Sequence, residues 1–253
     1  MSSNVSWEKI FEDYKILQHN FHLSPFQLSA EMIKKSCQEF TETNQKEVRI
    51  LCKQDSREDR PKIFIDNELF LLPIKNGRYV IIKGEGYVDI PEIKTEIKKY
   101  KSKLDFNLQT SKIGNSEMQH LDFAYATSLI RNFMNDCSLV LTIRGRKYTP
   151  KFSFQVNNHK IEVNSVQTEV DAGYEGKDKI VLIEAKNSST NNIIIRQLFY
   201  PYKQWKSYTK KEVSLLFFEK REDIFNIWKY GFTDENNYNS IKLIKSERFK
   251  VQE

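Results

Sequence analysis

Cysteine is scarce in this chain. Only Cys37, Cys52 and Cys137 occur, an odd and scattered set with no Cys-x-x-Cys pair. That argues against a disulfide framework and against a zinc knuckle, and it reads as buried thiols in a reducing cytoplasm. Histidine is nearly as rare, and His19, His22, His120 and His159 fall at no metal-ligand spacing. No window approaches the length needed to span a bilayer. The polar N-terminal segment carries no secretion signal, so a soluble, cytoplasmic protein with no membrane partner is expected. There is no internal repeat. A Gly-rich loop ending in Lys-Ser/Thr is also missing, which leaves phosphatase and nucleotide-kinase readings without support.

What is present is a globular composition with a basic balance. The chain has 253 residues, long enough for one large domain or two modest ones. An apolar fraction of 39% with 13% aromatics is enough to build a core and excludes a disordered chain. Lysine and arginine exceed the acids, giving a formal net charge of +6 and a pI near 9.0. A polyanion is a natural partner for such a surface, since bound phosphates release counterions. A merely lysine-rich exterior has the same net charge.

Periodicity divides the chain near residue 105. An amphipathic helix is expected from Trp7 to Gln18 and a second, capped by Ser29, to Phe40. Glu47–Cys52 is helix or strand. A charged stretch follows, then strand-like runs at Ile63–Ile65, Leu69–Leu72 and Tyr79–Ile82, the last two joined by an Asn76-Gly77 turn. This suits a small α+β DNA-binding module, with a winged-helix-like module as one reading. Arg49, Lys53, Arg57 and Arg60 are candidate contacts to phosphate or base, or else a solvated, self-paired loop. The lysine-rich Glu92–Lys103 reads as a linker or exposed basic helix.

Beyond residue 105, Ser116 can cap a helix running to Phe133. A strand at Leu139–Ile143 leads into Arg144-Gly145-Arg146-Lys147, either an ordinary cationic turn or a DNA contact, because arginine reads guanine edges bidentately. Lys151–Val156 and Ile161–Val163 alternate as strands. A polar loop at 187–192 precedes a helix from Ile193, which Pro201 should kink or break. Val213–Phe218 is a strand, Asp223–Tyr230 a short helix, and Ile241–Ile244 with Phe249 close the sheet. The order points to an α/β core with a mixed central sheet flanked by helices.

The chain is organised around Gln167–Lys186. It reads as two strands, the first ending at Asp171, with Gly173 and Gly176 in the turn. The second is the apolar run Ile180–Ile183 followed by Glu184-Ala185-Lys186. Alternation puts Glu184 and Lys186 on one face and Ala185 on the other. Pairing of the strands brings Asp171 close to Glu184. Two carboxylates that close repel unless a cation lies between them, and oxygen ligands suit a hard divalent ion such as Mg2+.

Asp171, twelve intervening residues and then Glu184-Ala185-Lys186 resemble the PD-(D/E)XK nuclease superfamily, with Val170 standing where the motif has proline. The wider segment from Ser116 to Trp205, including Arg196-Gln197-Leu198-Phe199-Tyr200, is similar to bacterial type II restriction endonucleases. The resemblance implies a restriction-endonuclease-like core and Mg2+ held by Asp171, Glu184 and the Ala185 carbonyl. It implies Lys186 as the cationic catalytic group. Gln197 and Glu117 enter as accessory residues, and Arg196 as a contact to the DNA backbone. A tyrosine found four residues after the glutamine in some relatives is Pro201 here. The implied activity is cleavage of double-stranded DNA leaving 5'-phosphates, by a homodimer, with a cognate DNA methyltransferase as functional partner. A repair, recombination or mobile-element nuclease of the same fold, and a non-catalytic DNA-binding protein, are the alternatives.

Overall fold

The computed structural model describes residues 3–187 and 190–252; Ser188 and Ser189, in the expected polar loop, lie outside it. The N-terminal part opens with α1 (Ser3–Asp13), then β1 (Phe26–Ser29) and α2 (Ala30–Ser36). Short helices α3 (Thr43–Lys46), α4 (Val48–Leu51) and α5 (Lys62–Asp66) follow. The hairpin β2 (Leu69–Lys75) and β3 (Arg78–Lys83) closes it. Ser29 caps α2 as expected, accepting a 3.2 Å hydrogen bond from the Met32 N–H. Gly77 supplies the positive φ of +70° that the hairpin turn needs. The three strands form one antiparallel sheet in the order β1-β3-β2.

The run Leu69–Leu72 is apolar without interruption because both of its faces are covered. Leu69 and Leu71 pack with Trp7, Ile10, Phe11 and Phe64 of the N-terminal helices. Phe70 and Leu72 turn the other way, into a second core shared with the rest of the chain. Ile63–Ile65, expected as a strand, is instead α5. The Pro61 carbonyl accepts from the N–H of Phe64 and Ile65, and the turn drives Phe64 against Trp7, 4.8 Å between ring centroids.

From residue 87 the chain forms β4 (Tyr87–Asp89) and β5 (Lys98–Lys101), then α6 (Glu117–Ala126) and α7 (Leu129–Met134). Next come β6 (Val140–Tyr148), β7 (Phe152–Val156) and β8 (His159–Val163). The central pair is β9 (Gln167–Glu175) and β10 (Lys179–Lys186). After β11 (Asn192–Ile194) and α8 (Arg196–Tyr208), strands β12 (Glu212–Arg221), β13 (Ile224–Phe232) and β14 (Ile241–Gln252) complete the fold.

The result is a mixed α/β architecture around a seven-stranded sheet in the order β5-β14-β13-β12-β10-β9-β6. The pairs β10–β12 and β14–β5 are parallel and the others antiparallel. One face packs on α6 and α7 through Val181, Ile183, Ala185, Leu216 and Phe218. The other packs on α8 through Ile180, Leu182, Leu215, Phe217 and Leu198. A small hairpin, β7–β8, covers the N-terminal sheet: Phe154, Val156, Ile161 and Val163 share a core with Phe70, Leu72, Val80, Ile82 and Tyr200.

Several expectations are corrected. Residues 98–101, read as linker or basic helix, are an edge strand of the large sheet paired with β14. Residues 224–230, read as helix, belong to strand β13; Phe225 and Ile227 serve one core and Trp228 and Tyr230 the other. That double burial mimics helical spacing. The helix from Ser116 is capped as expected but breaks at Ser128, whose φ is +65°. Arg144-Gly145-Arg146-Lys147 lies inside β6, not in a turn after it. Residues 192–194 are strand β11, paired with β4. Pro201 does not break the helix; α8 continues through it.

Candidate active site

The first strand does not end at Asp171, and Gly173 is not in the turn. Asp171 sits within β9, at an irregularity opposite the edge strand. From the pair Ile143–Gly173 to the pair Gly145–Val170, two steps along β6 match three along β9. The extra residue falls at Asp171–Ala172. Such bulges re-aim side chains beside active sites. Gly173 allows the close approach on which this depends, since a Cβ there would stand 2.6 Å from the Ile143 Cβ.

Glu184 and Lys186 lie at the carboxyl end of β10, where β10, α8 and β12 form a parallel crossover. Ligands of open α/β sheets bind in this position. Alternation holds: Ala185 is fully buried in the core under α6, while Glu184 and Lys186 face the cleft. Asp171 Oδ2 accepts from the Ala185 N–H at 2.8 Å. Lys186 Nζ donates to Glu184 Oε1 at 2.5 Å, and Gln197 Nε2 donates to the same oxygen at 2.8 Å. Glu117 Oε1 accepts from the Asn187 N–H at 3.0 Å. The acid pair, the lysine and both accessory residues therefore line one cleft of about 690 Å³.

The electrostatics are those of buried carboxyls beside a lysine. Glu184 is 8% exposed, and burial pushes its carboxyl up to about 7 against the pull of Lys186, with the Asp171 charge adding to the rise. Burial also raises Asp171, opposed by the Ala185 N–H and by Lys186. Burial acts to lower Lys186, but the Glu184 carboxylate outweighs it and holds the ammonium above its ordinary value. The first turn of α8 reaches Glu184 through the Gln197 side chain. Pro201 lacks an N–H, so the Gln197 carbonyl loses its donor four residues on, at the wall of the cleft.

The rest of the cleft is a patchwork of opposite charges. Arg49, Lys53, Arg146 and Arg196 line it, together with Asp55 and Glu169. Arg146 pairs with Glu169 at 3.2 Å. Asp55 pairs with Arg196 at 3.5 Å and Lys53 at 3.8 Å. Arg49 makes no ion pair among the described residues. Other basic candidates lie elsewhere. Arg144 is bound to Asp122 on α6. Lys147 is exposed and does not line the cleft. Arg57 is tied to Glu85 and Asp89, and Arg60 donates to the Leu69 carbonyl and lies over the Tyr87 ring.

Two acids of the cleft were not singled out from sequence. Glu169 shares period-2 spacing with Asp171, a signal that was available. Asp55 sits in a run of charges where no local pattern distinguishes it, and only the tertiary fold brings it to Arg196.

The side chains present suit a hard divalent ion: two carboxylates and, beside Glu184, the buried Gln197 Oε1, which has no hydrogen-bond partner. Among the described residues, no three His, Cys, Asp or Glu side chains gather closely enough to hold a metal ion by themselves. An ion here would rely on carbonyl oxygens and water for its remaining ligands.

The chain belongs to the family described as a domain of unknown function (DUF6997), whose model matches residues 82–250. Residues 4–81 match a second model, described as a domain of unknown function (DUF6996). The two meet inside β3, a strand paired on both sides, whereas the division expected from periodicity lies near residue 105. No curated protein and no solved structure matches the chain. Among the described residues, no helix is long and apolar enough to cross a membrane.

Proposed function

We propose that the protein is a Mg2+-dependent, sequence-specific deoxyribonuclease of the type II restriction kind. The observation that carries this reading is the convergence of Asp171, Glu184 and Lys186 in one cleft. The expected element order also supports it: a helix, strands bearing the acid pair, a helix and a further strand. Asp171, Glu184 and the Ala185 carbonyl would hold Mg2+, which when bound eases ionisation of a water and neutralises charge growing on a phosphate.

The chain's own residues supply the remaining work. Lys186, kept ionised by Glu184, orients the attacking water or stabilises the charge that develops on the phosphate. One preorganised donor of this kind is worth on the order of 10^2 to 10^3 in rate. Gln197 holds Glu184 from the first turn of α8. Arg146 and Arg196 neutralise neighbouring phosphates, which must compete with Glu169 and Asp55 for them. The N-terminal strand order β1-β3-β2, with helices before the β2–β3 hairpin, favours a winged-helix-like recognition module. A two-fold dimer matches a palindromic site and cuts both strands, and a cognate methyltransferase protects the host DNA.

Digestion of a sequenced plasmid with Mg2+, followed by end mapping, tests the reading. Discrete fragments with 5'-phosphates at one repeated sequence are expected. Cleavage confined to branched substrates would favour a repair or recombination nuclease. Binding without cleavage on every substrate would favour a DNA-binding protein that keeps the fold.

A further inference from the structure

The helix that carries Gln197 begins without a cap. Its N-cap position is Ile195, in helical conformation, and no side chain caps the turn. The orphan N–H groups of a helix start must find partners, and those just ahead of this one find them in distant chain. The Ile194 N–H donates to the Asp55 carbonyl at 2.8 Å, and the Ile195 N–H to the Gly86 carbonyl at 3.0 Å.

Asn192 anchors this junction. It is 2% exposed, and its side chain is fully used: Oδ1 accepts from the Arg57 N–H at 2.7 Å, and Nδ2 donates to both Glu58 oxygens, at 2.8 and 3.1 Å. Arg57 in turn grips Asp89 of β4, the strand paired with β11. Asn192 does not line the cleft.

We infer that Asn192 is a positioning residue, which fixes the first turn of α8 against the loop at residues 55–58 and so holds Gln197 on Glu184 and Arg196 on Asp55. The N-terminal region thereby becomes part of the candidate active site and not a tethered recognition arm. The catalytic meaning of this inference rests on the hydrolase reading; the structural tie does not.

The test uses the full chain carrying Asn192→Ala, with Glu58→Ala, at an exposed position that spares the fold, as second variant. Amide hydrogen exchange at residues 194–199, without DNA, should accelerate about tenfold in Asn192→Ala and less in Glu58→Ala, with α1 and β12 unchanged. Unchanged exchange in both variants overturns the inference. Single-turnover cleavage at saturating DNA should fall about tenfold while DNA affinity holds. Loss of affinity with an unchanged rate overturns the positioning role. If the wild type cuts no DNA, the hydrolase reading fails, and hydrogen exchange alone decides the tie.

Discussion

Replacing Glu184 by glutamine should abolish cleavage and yet stabilise the fold at alkaline pH. The buried carboxyl titrates near 7 in the folded protein and near 4.3 when unfolded. A carboxyl raised in this way binds a proton in the folded state that the unfolded chain has released. Stability from this group therefore falls as pH climbs from about 4.5 to 7. By pH 8 the accumulated cost of holding Glu184 ionised is about 3 kcal/mol. Glutamine keeps an oxygen to accept from Lys186 and Gln197 but carries no charge to desolvate. At roughly 2–4 °C per kcal/mol for a chain of this size, the melting temperature of Glu184→Gln should exceed the wild type by about 6–12 °C at pH 8. The difference should vanish near pH 4, where both states of the wild type are protonated. Thermal melts across pH 4 to 8 without divalent ions measure it directly. A difference independent of pH, or a variant less stable at pH 8, would refute the buried-acid reasoning. Adding Mg2+ at pH 8 should narrow the gap, because only the wild type gains from the ion.

Other substitutions probe separate parts of the account. Asp171→Asn should lose cleavage and retain DNA binding, measured by gel shift in the absence of Mg2+. Gly173→Ala puts a Cβ 2.6 Å from that of Ile143; overpacking of this kind costs about 1–3 kcal/mol, read as a lower denaturant midpoint. Arg49→Ala should weaken DNA binding across all sequences and reduce the slope of log affinity against log salt by about 1. An unchanged slope would place Arg49 away from the phosphate path.

The acid pair and the lysine were legible from sequence because their cues are local. An apolar strand ending in Glu-x-Lys, with an acid on the strand before it, fixes which side chains share a face. The caps at Ser29 and Ser116 and the turn at Gly77 are local in the same way. What failed to read was set by partners far along the chain. Residues 224–232 look helical because both faces of their strand are buried, so apolar side chains recur without clean alternation. Lys98–Lys101 has a polar pattern because it is an edge strand, and only β14 reveals it. Asp171 belongs to a bulge whose register depends on β6. Asp55 reaches the cleft because the loop that carries it is bonded to the start of α8, a contact spanning about 140 positions that no local pattern encodes.

The central claim concerns one cation in a cleft. Single-turnover cleavage of a defined DNA duplex in Mg2+ by the wild type and by Lys186→Ala, with DNA affinity measured alongside, tests it most directly. The account predicts intact binding and a rate lower by about 10^2 or more in the variant. Cleavage by Lys186→Ala at the wild-type rate would contradict it.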